Sequence, residues 1–437
     1  MKKKYNFFLV IVSFFLFSTF AEEDAIGATV VQDWENTTID SKISLDINKE
    51  ALHLPADRNT ALARIHQESP RLMKDVYLSV LVDSSNRMGD YLAEKQITMN
   101  DINKLIEEGT ETPAAFSQDL KDLTLYHQAK LGKAGELFVK HSVPYKPAVP
   151  PSSTVSKVYS GILIDARGNL PVHGEYETET LQPCLFPKVW DTDMNLIYEK
   201  NMVLPAIAKK QGIIRYASAL NEKDYRDIIG VNPLRIVARG VFGQNRTDPI
   251  IAGSDAAQIL AKPENLKLLE EGKLIIICNK ENLRTSLPYP LPDENFYFAY
   301  HNIKKMFSKE TPDSINMRPG INTIKITMYD IRFIADSPEI LPEEKGRVDI
   351  IARALRAMGP YTKFLIEGHT ADINQPKNQL VLSVARADKI AEELAKRGID
   401  ASRMTTAGYG GTRPIAPNDT SPNRAKNRRV EITIMRD

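Results

Sequence analysis

The stretch Lys363-Phe-Leu-Ile-Glu-Gly-His-Thr370, with Leu382-Ser-Val-Ala-Arg-Ala387 downstream of it and Arg424-Ala-Lys-Asn-Arg-Arg-Val-Glu-Ile432 near the end of the chain, decides the C-terminal fold. Lys363 to Glu367 reads as a strand. A helix follows from about Lys377 to Arg397, with Val384, Ala387, Ala391 and Leu394 on one stripe and Gly398 as its stop. Upstream, Ile324, Ile326 and Met328 alternate with polar residues, as a half-buried strand requires. Val348, Ile351, Leu355 and Met358 then keep helical spacing until Gly359-Pro360 ends the helix. Val430-Glu-Ile-Thr-Ile434 alternates again. The order β-α-β-α-β-β predicts an α+β layer of helices on one sheet.

Outward from this region, two proline-rich stretches divide the chain. Residues 143–154 hold Val143-Pro-Tyr-Lys-Pro-Ala-Val-Pro-Pro-Ser-Ser-Thr154, which sustains neither a helix nor a central strand because proline lacks the amide hydrogen. Residues 308–320 form the second. The expected units are a leader over 1–21, a mainly helical N-terminal domain over 22–142, a mixed α/β middle domain over 155–307 and the α+β domain over 321–437. The leader follows from Lys2, Lys3 and Lys4, an apolar run from Phe7 to Phe20, and small residues before a cut after Ala21. No cysteine follows that run, so lipoprotein acylation is not expected. A periplasmic, exported protein associated with the outer membrane or the wall is.

In the first domain a helix is expected around Asp101 to Glu108 after Thr98, another from Thr112-Pro113, and a strand at Ile43, Leu45 and Ile47. In the middle domain Tyr159–Gly168 reads as a strand running into a turn. Lys188-Val-Trp-Asp and Leu196-Ile-Tyr-Glu flank a loop as a hairpin does, and Leu234–Phe242 and Lys273–Cys278 read as further strands. Asp165 and Arg167 suit an ion pair fixing that turn better than a catalytic pair, since no nucleophile or second carboxylate lies nearby.

Composition narrows the function. Lysine plus arginine number 57 against 56 acids, so the basic excess of a nucleic-acid binder is missing. Seven scattered histidines and two cysteines, Cys184 and Cys278, give no zinc spacing, and no metal or cofactor is expected. The two thiols are open to a disulfide or to burial as free groups. No Gly-x-Ser-x-Gly, His-Glu-x-x-His or P-loop points to an enzyme.

Several short motifs carry a resemblance. Glu367-Gly-His-Thr370, Leu382-Ser-Val-Ala-Arg-Ala387, Gly398-Ile-Asp-Ala-Ser-Arg403, Gly408-Tyr-Gly410, Arg413-Pro-Ile-Ala416, Asn418-Asp-Thr420 and the Arg424–Ile432 run resemble, in order and spacing, the OmpA-like C-terminal, peptidoglycan-associated domain. The middle domain resembles those of envelope lipoproteins and flagellar assembly protein T. The three-part arrangement resembles OmpA-domain envelope proteins of treponemes, which are spirochaetes.

The resemblance implies a site that grips the diamino acid of the peptidoglycan stem peptide. Such a zwitterion demands an arginine for its carboxylate and an acid for its ammonium group. Arg386 takes the family's ligand arginine position, Arg428 a second contact and Thr370 a third. The family's aspartate falls on Ala371, with Asp372 one position away, and its asparagine falls on Gln379, with Asn378 adjacent. The family's Phe-Asp becomes Phe333-Ile334, with Asp336 nearby. Losing a charged partner costs about 1.5–3 kcal/mol, roughly one to two orders of magnitude in affinity. The expectation is a non-enzymatic envelope scaffold whose OmpA-like domain faces peptidoglycan with weak or lost diaminopimelate recognition, and which also contacts other envelope proteins. The alternatives are a working tether that uses Asp372 with Arg386, a different stem-peptide residue as ligand, a pure protein adaptor, or a wall-acting enzyme in the middle domain.

Overall fold

The computed structural model describes residues 25–147, 154–288, 290–310, 314–334 and 337–436. The expected leader, residues 148–153 of the first linker, and Asp336 lie outside these.

The first domain is built on a sheet. β1 (Ile26–Asp33), β2 (Thr38–Asp46) and β3 (Asp122–Lys130) pair antiparallel, with short strands Thr110–Glu111 and Ala115–Phe116 on the β3 edge. Ile39, Ile43 and Leu45 of β2 and Leu123 and Leu125 of β3 alternate inward. The helix Arg58–Leu78 closes this face with Ala61, Ile65, Leu72, Met73 and Val76 buried. The domain therefore carries much more sheet than the mainly helical reading expects, because the inward positions Gln32, Ser41 and His127 dilute the apolar alternation. Thr98 caps the helix Met99–Glu107, accepting from the Asp101 amide, as the sequence predicts. Thr112-Pro113 starts no helix. Instead the Thr112 amide donates to the Tyr126 carbonyl at 2.9 Å, so proline sits between two edge strands where its missing donor is harmless.

Among its described residues the middle domain holds two four-stranded sheets and a two-stranded ribbon of Leu170–Pro171 with Thr178–Glu179. One is fully parallel, in the order Arg215–Ala217, Leu274–Ile277, Ile162–Asp165, Leu234–Val237. Leu274–Ile277 is buried along its whole length, as parallel central strands are. The other contains the expected hairpin of Val189–Asp191 with Leu196–Tyr198. Arg167 grips Asp165 through two bonds of 2.8 Å, a turn-fixing pair. Cys184 and Cys278 are buried free thiols. Arg284–Leu287 leaves this domain to pair antiparallel with β1, so the first sheet is completed by residues from beyond the middle domain's core. The helix Glu294–Glu310 follows, burying Phe296, Tyr297, Tyr300, Ile303 and Phe307 as a packing surface.

The C-terminal sheet begins inside the stretch expected to be a linker. β4 (Ile315–Pro319) pairs with β5 (Thr323–Tyr329), with Ile315 and Met317 buried and Pro319 ending an edge strand. α1 (Lys345–Ala357), β6 (Thr362–His369), α2 (Pro376–Lys396), β7 (Met404–Gly408), α3 (Ser421–Asn427) and β8 (Arg429–Arg436) complete it. The strand order is β4-β5-β8-β6-β7, antiparallel except for the β6–β7 pair. Both long helices cover one face through Val348, Ile351 and Leu355 and through Ala387, Ile390 and Leu394. Val384, placed on the stripe by the sequence, is 38% exposed. The domain is tied to the middle one by Arg318, which reaches Glu175 at 2.7 Å and Glu177 at 3.3 Å. Among the described residues no helix is long and apolar enough to cross a membrane.

Candidate functional site

The site residues gather where β6 ends and β8 begins, beneath α2. Gly368 permits this approach, since a Cβ there would collide with the Ser383 carbonyl oxygen of α2. Ile331, Phe333, Gly368, His369, Arg386 and the Arg428–Val430 segment line a tight crevice. Arg386 projects from α2 and lays its guanidinium over the Phe333 ring, 4.6 Å from the centroid. Arg428, at the start of β8, pairs with Asp330 at 3.0 Å with both side chains substantially exposed, a contact worth little in water. Arg429 is buried and donates to Glu431 at 2.6 Å, and Lys325 meets the same carboxylate at 2.7 Å. Burial pushes the Glu431 carboxyl up, but Arg429 and Lys325 outweigh it and hold it at about 2.

His369 closes the crevice floor. Its ring stacks on Tyr409 at 5.5 Å, and the Arg413 guanidinium lies 3.5 Å from the other aromatic centroid. Among the described residues neither buried ring nitrogen has a hydrogen-bond partner. Burial first, and the Arg429 charge second, lower its pKa to about 4, so the imidazole is neutral at ordinary pH. Thr370 is buried and its amide donates to the Gly410 carbonyl at 2.9 Å, while its hydroxyl finds no partner among the described residues.

The remaining sequence-predicted positions do not line the crevice. Ala371 is buried, and its carbonyl accepts from the Gln379 side-chain amide at 2.5 Å. Gln379 also accepts from the Gln375 amide at 3.0 Å, so both ends of its side chain brace the loop. Asp372 is exposed, its amide held by Asn418 at 3.1 Å and its carboxylate accepting from the Asn374 amide at 2.9 Å. The structure thus brings together Arg386, Arg428 and the neighbourhood of Thr370, and sets Asp372 in a local turn. Asp330 and the Phe333 stacking surface were missed as partners. An acid just beyond the end of β5 was the available signal for the first.

The crevice is lined by three arginines and no acid from the 371–372 loop, with Arg428 and Arg429 already paired to Asp330 and Glu431. It suits a carboxylate better than an ammonium group. Among the described residues no group of three or more histidine, cysteine or acidic side chains is placed to hold a metal.

Residues 332–428 match the OmpA family, and residues 25–137 and 161–280 match the N-terminal and second domains of Treponema pallidum Tp0624. Outer membrane porin F of Pseudomonas fluorescens is 38% identical over 116 residues, which are 26% of this chain and 35% of the porin. Peptidoglycan-binding protein ArfA of Mycobacterium tuberculosis is 33% identical over 119 residues, 27% of this chain and 36% of ArfA. The matched region therefore spans only about a third of either relative. Among solved structures, the cell wall anchor of the T6SS from Pseudomonas aeruginosa is 28% identical, covers 31% of this chain and 97% of its own, and has a TM-score of 0.28. The C-terminal part of this chain is an OmpA-family domain, carried behind two domains that match the N-terminal and second domains of Tp0624.

Proposed function

We propose that the protein is a non-enzymatic scaffold of the periplasmic cell envelope whose OmpA-family domain faces peptidoglycan, with ordinary diaminopimelate recognition weak or lost. The observation that supports this reading is the crevice itself: Arg386 and Arg428 line it, Asp372 turns into its own loop, and Ala371 takes the position at which the family resemblance expects an acid. A zwitterionic ligand there would leave its ammonium group without a counter-charge, at a cost of about 1.5–3 kcal/mol. The first two domains, joined by the pairing of Arg284–Leu287 with β1, supply surface for protein contacts.

Sedimentation with purified sacculi tests the wall-facing role. The chain is expected to pellet weakly but measurably with sacculi, Ala371→Asp to raise the pelleted fraction severalfold, and the sacculi to release no soluble fragments. A chain that stays in the supernatant contradicts the reading, and so does release of muropeptides, which would restore the enzyme alternative.

A further inference from the structure

A second cleft, of about 560 Å³, opens between the middle domain and the uncovered face of the C-terminal sheet. That volume lies within the range of small-ligand pockets, roughly 300–1,000 Å³. Its middle-domain wall is the hairpin around Gly174, whose positive φ of 80° makes the turn that carries Glu175, Tyr176 and Glu177. Its floor is strand surface: Asn316 from β4, Lys325, Thr327 and Tyr329 from β5, and Glu431 from β8.

Most of the charges in this cleft are already paired, and Lys426, which also lines it, adds an ammonium group able to donate to a hydroxyl or amide oxygen. Glu175 and Glu177 share Arg246 and Arg318, and Glu431 is held by Lys325 and Arg429. An anion entering would compete with three carboxylates, and a cation with the guanidinium and ammonium groups. What remains is a lining rich in hydrogen-bonding side chains together with two tyrosines. Tyr176 is 58% exposed, and Tyr329 also lines the cleft. Such rings offer a flat apolar face with a polar tip. A neutral ligand with many hydroxyl and amide groups and flat apolar C–H faces, a saccharide, fits this chemistry.

The cleft and the arginine crevice lie near each other along β8, with no lining residue in common. Arg429 lines the crevice and Glu431 the cleft; two residues apart on β8, they face the same side of the sheet, about 7 Å apart. The Lys325–Glu431–Arg429 chain of ion pairs joins the two.

We propose that the interdomain cleft is a saccharide site for the glycan strand of peptidoglycan, an oligomer of N-acetylated amino sugars. The proposal rests on the wall-facing reading above and adds to it a site outside the stem-peptide crevice.

Calorimetric titration of the whole chain with tetra-N-acetylglucosamine, which has no peptide, tests it. Binding is expected, and Tyr176→Ala is expected to weaken it at least about tenfold by removing an exposed ring. Tyr361→Ala, at a tyrosine 79% exposed and outside the cleft, is expected to leave it unchanged. Absence of binding overturns the proposal, as does binding that Tyr176→Ala leaves intact. If the oligosaccharide is ignored while sacculi still pellet the chain, only the saccharide site is lost. If sacculi fail as well, the wall-facing reading falls with it.

Discussion

Replacing Asn427 by alanine is expected to destabilise the C-terminal domain by about 3–5 kcal/mol, measured as a fall in denaturation free energy. The side chain is fully buried and every bond it can make there is made. Its carbonyl oxygen accepts from the amides of Ile415 at 2.8 Å and Ala416 at 3.0 Å. Its amide donates to the Ala416 carbonyl at 2.8 Å and to Asn418 at 2.9 Å. Alanine would strand three backbone groups of the 415–416 turn away from water, at about 1–3 kcal/mol each before relaxation. The same substitution releases Asn418, which holds the Asp372 amide, so the loop beside the crevice loosens with it. Asn427→Asp keeps the acceptor but loses the donor and buries a charge, and is expected to fare no better. A loss under about 1 kcal/mol would contradict this account of the turn.

The second large effect is a pH dependence set by His369. Its folded pKa of about 4 lies below the ordinary histidine value of 6.5. Between those limits the unfolded chain binds the proton that the folded chain refuses. The contribution is therefore complete above pH 6.5 and is lost as pH falls toward 4, amounting to about 3 kcal/mol. Asp75 and Asp90, held by burial at about 6, act in the opposite direction and favour the folded state as pH falls through 6. The difference between the chain and His369→Phe isolates the imidazole, because both share the aspartates. Denaturant titrations at pH 7, 5.5 and 4.5 should give a steeper acid-side decline for the chain than for His369→Phe. Parallel curves would contradict the buried, unpartnered state of the ring.

How much of this was legible in the sequence depended on what each residue faces. The C-terminal sheet was readable because Ile324, Ile326 and Met328 are all inward and fully buried. β4 was not, since Asn316 and Arg318 alternate with only two apolar residues in a proline-bearing stretch. Arg284–Leu287 becomes a strand only through its distant partner β1, and its own residues are polar apart from Leu287. At the site, residue types offered Arg386, Arg428 and Ala371 as candidates, and the structure puts the two arginines on one crevice. Loop register did not follow from them: Gln379 spans two loop backbone groups and Asp372 caps its own turn, and both depend on three-dimensional closure. The interdomain cleft was invisible, because its walls come from residues more than a hundred positions apart, as in the Glu175–Arg318 pair.

The central claim is that the crevice keeps its arginines but has lost its acid. Calorimetric titration of the whole chain with a stem peptide containing diaminopimelic acid, beside Ala371→Asp and the double variant Ala371→Asp, Arg386→Ala, tests it most directly. The account predicts weak or no heat from the chain, a gain of about ten- to a hundredfold in affinity on Ala371→Asp, and loss of that gain in the double variant. Tight binding by the unaltered chain would contradict it and assign the missing acid's role to Asp372 or another group.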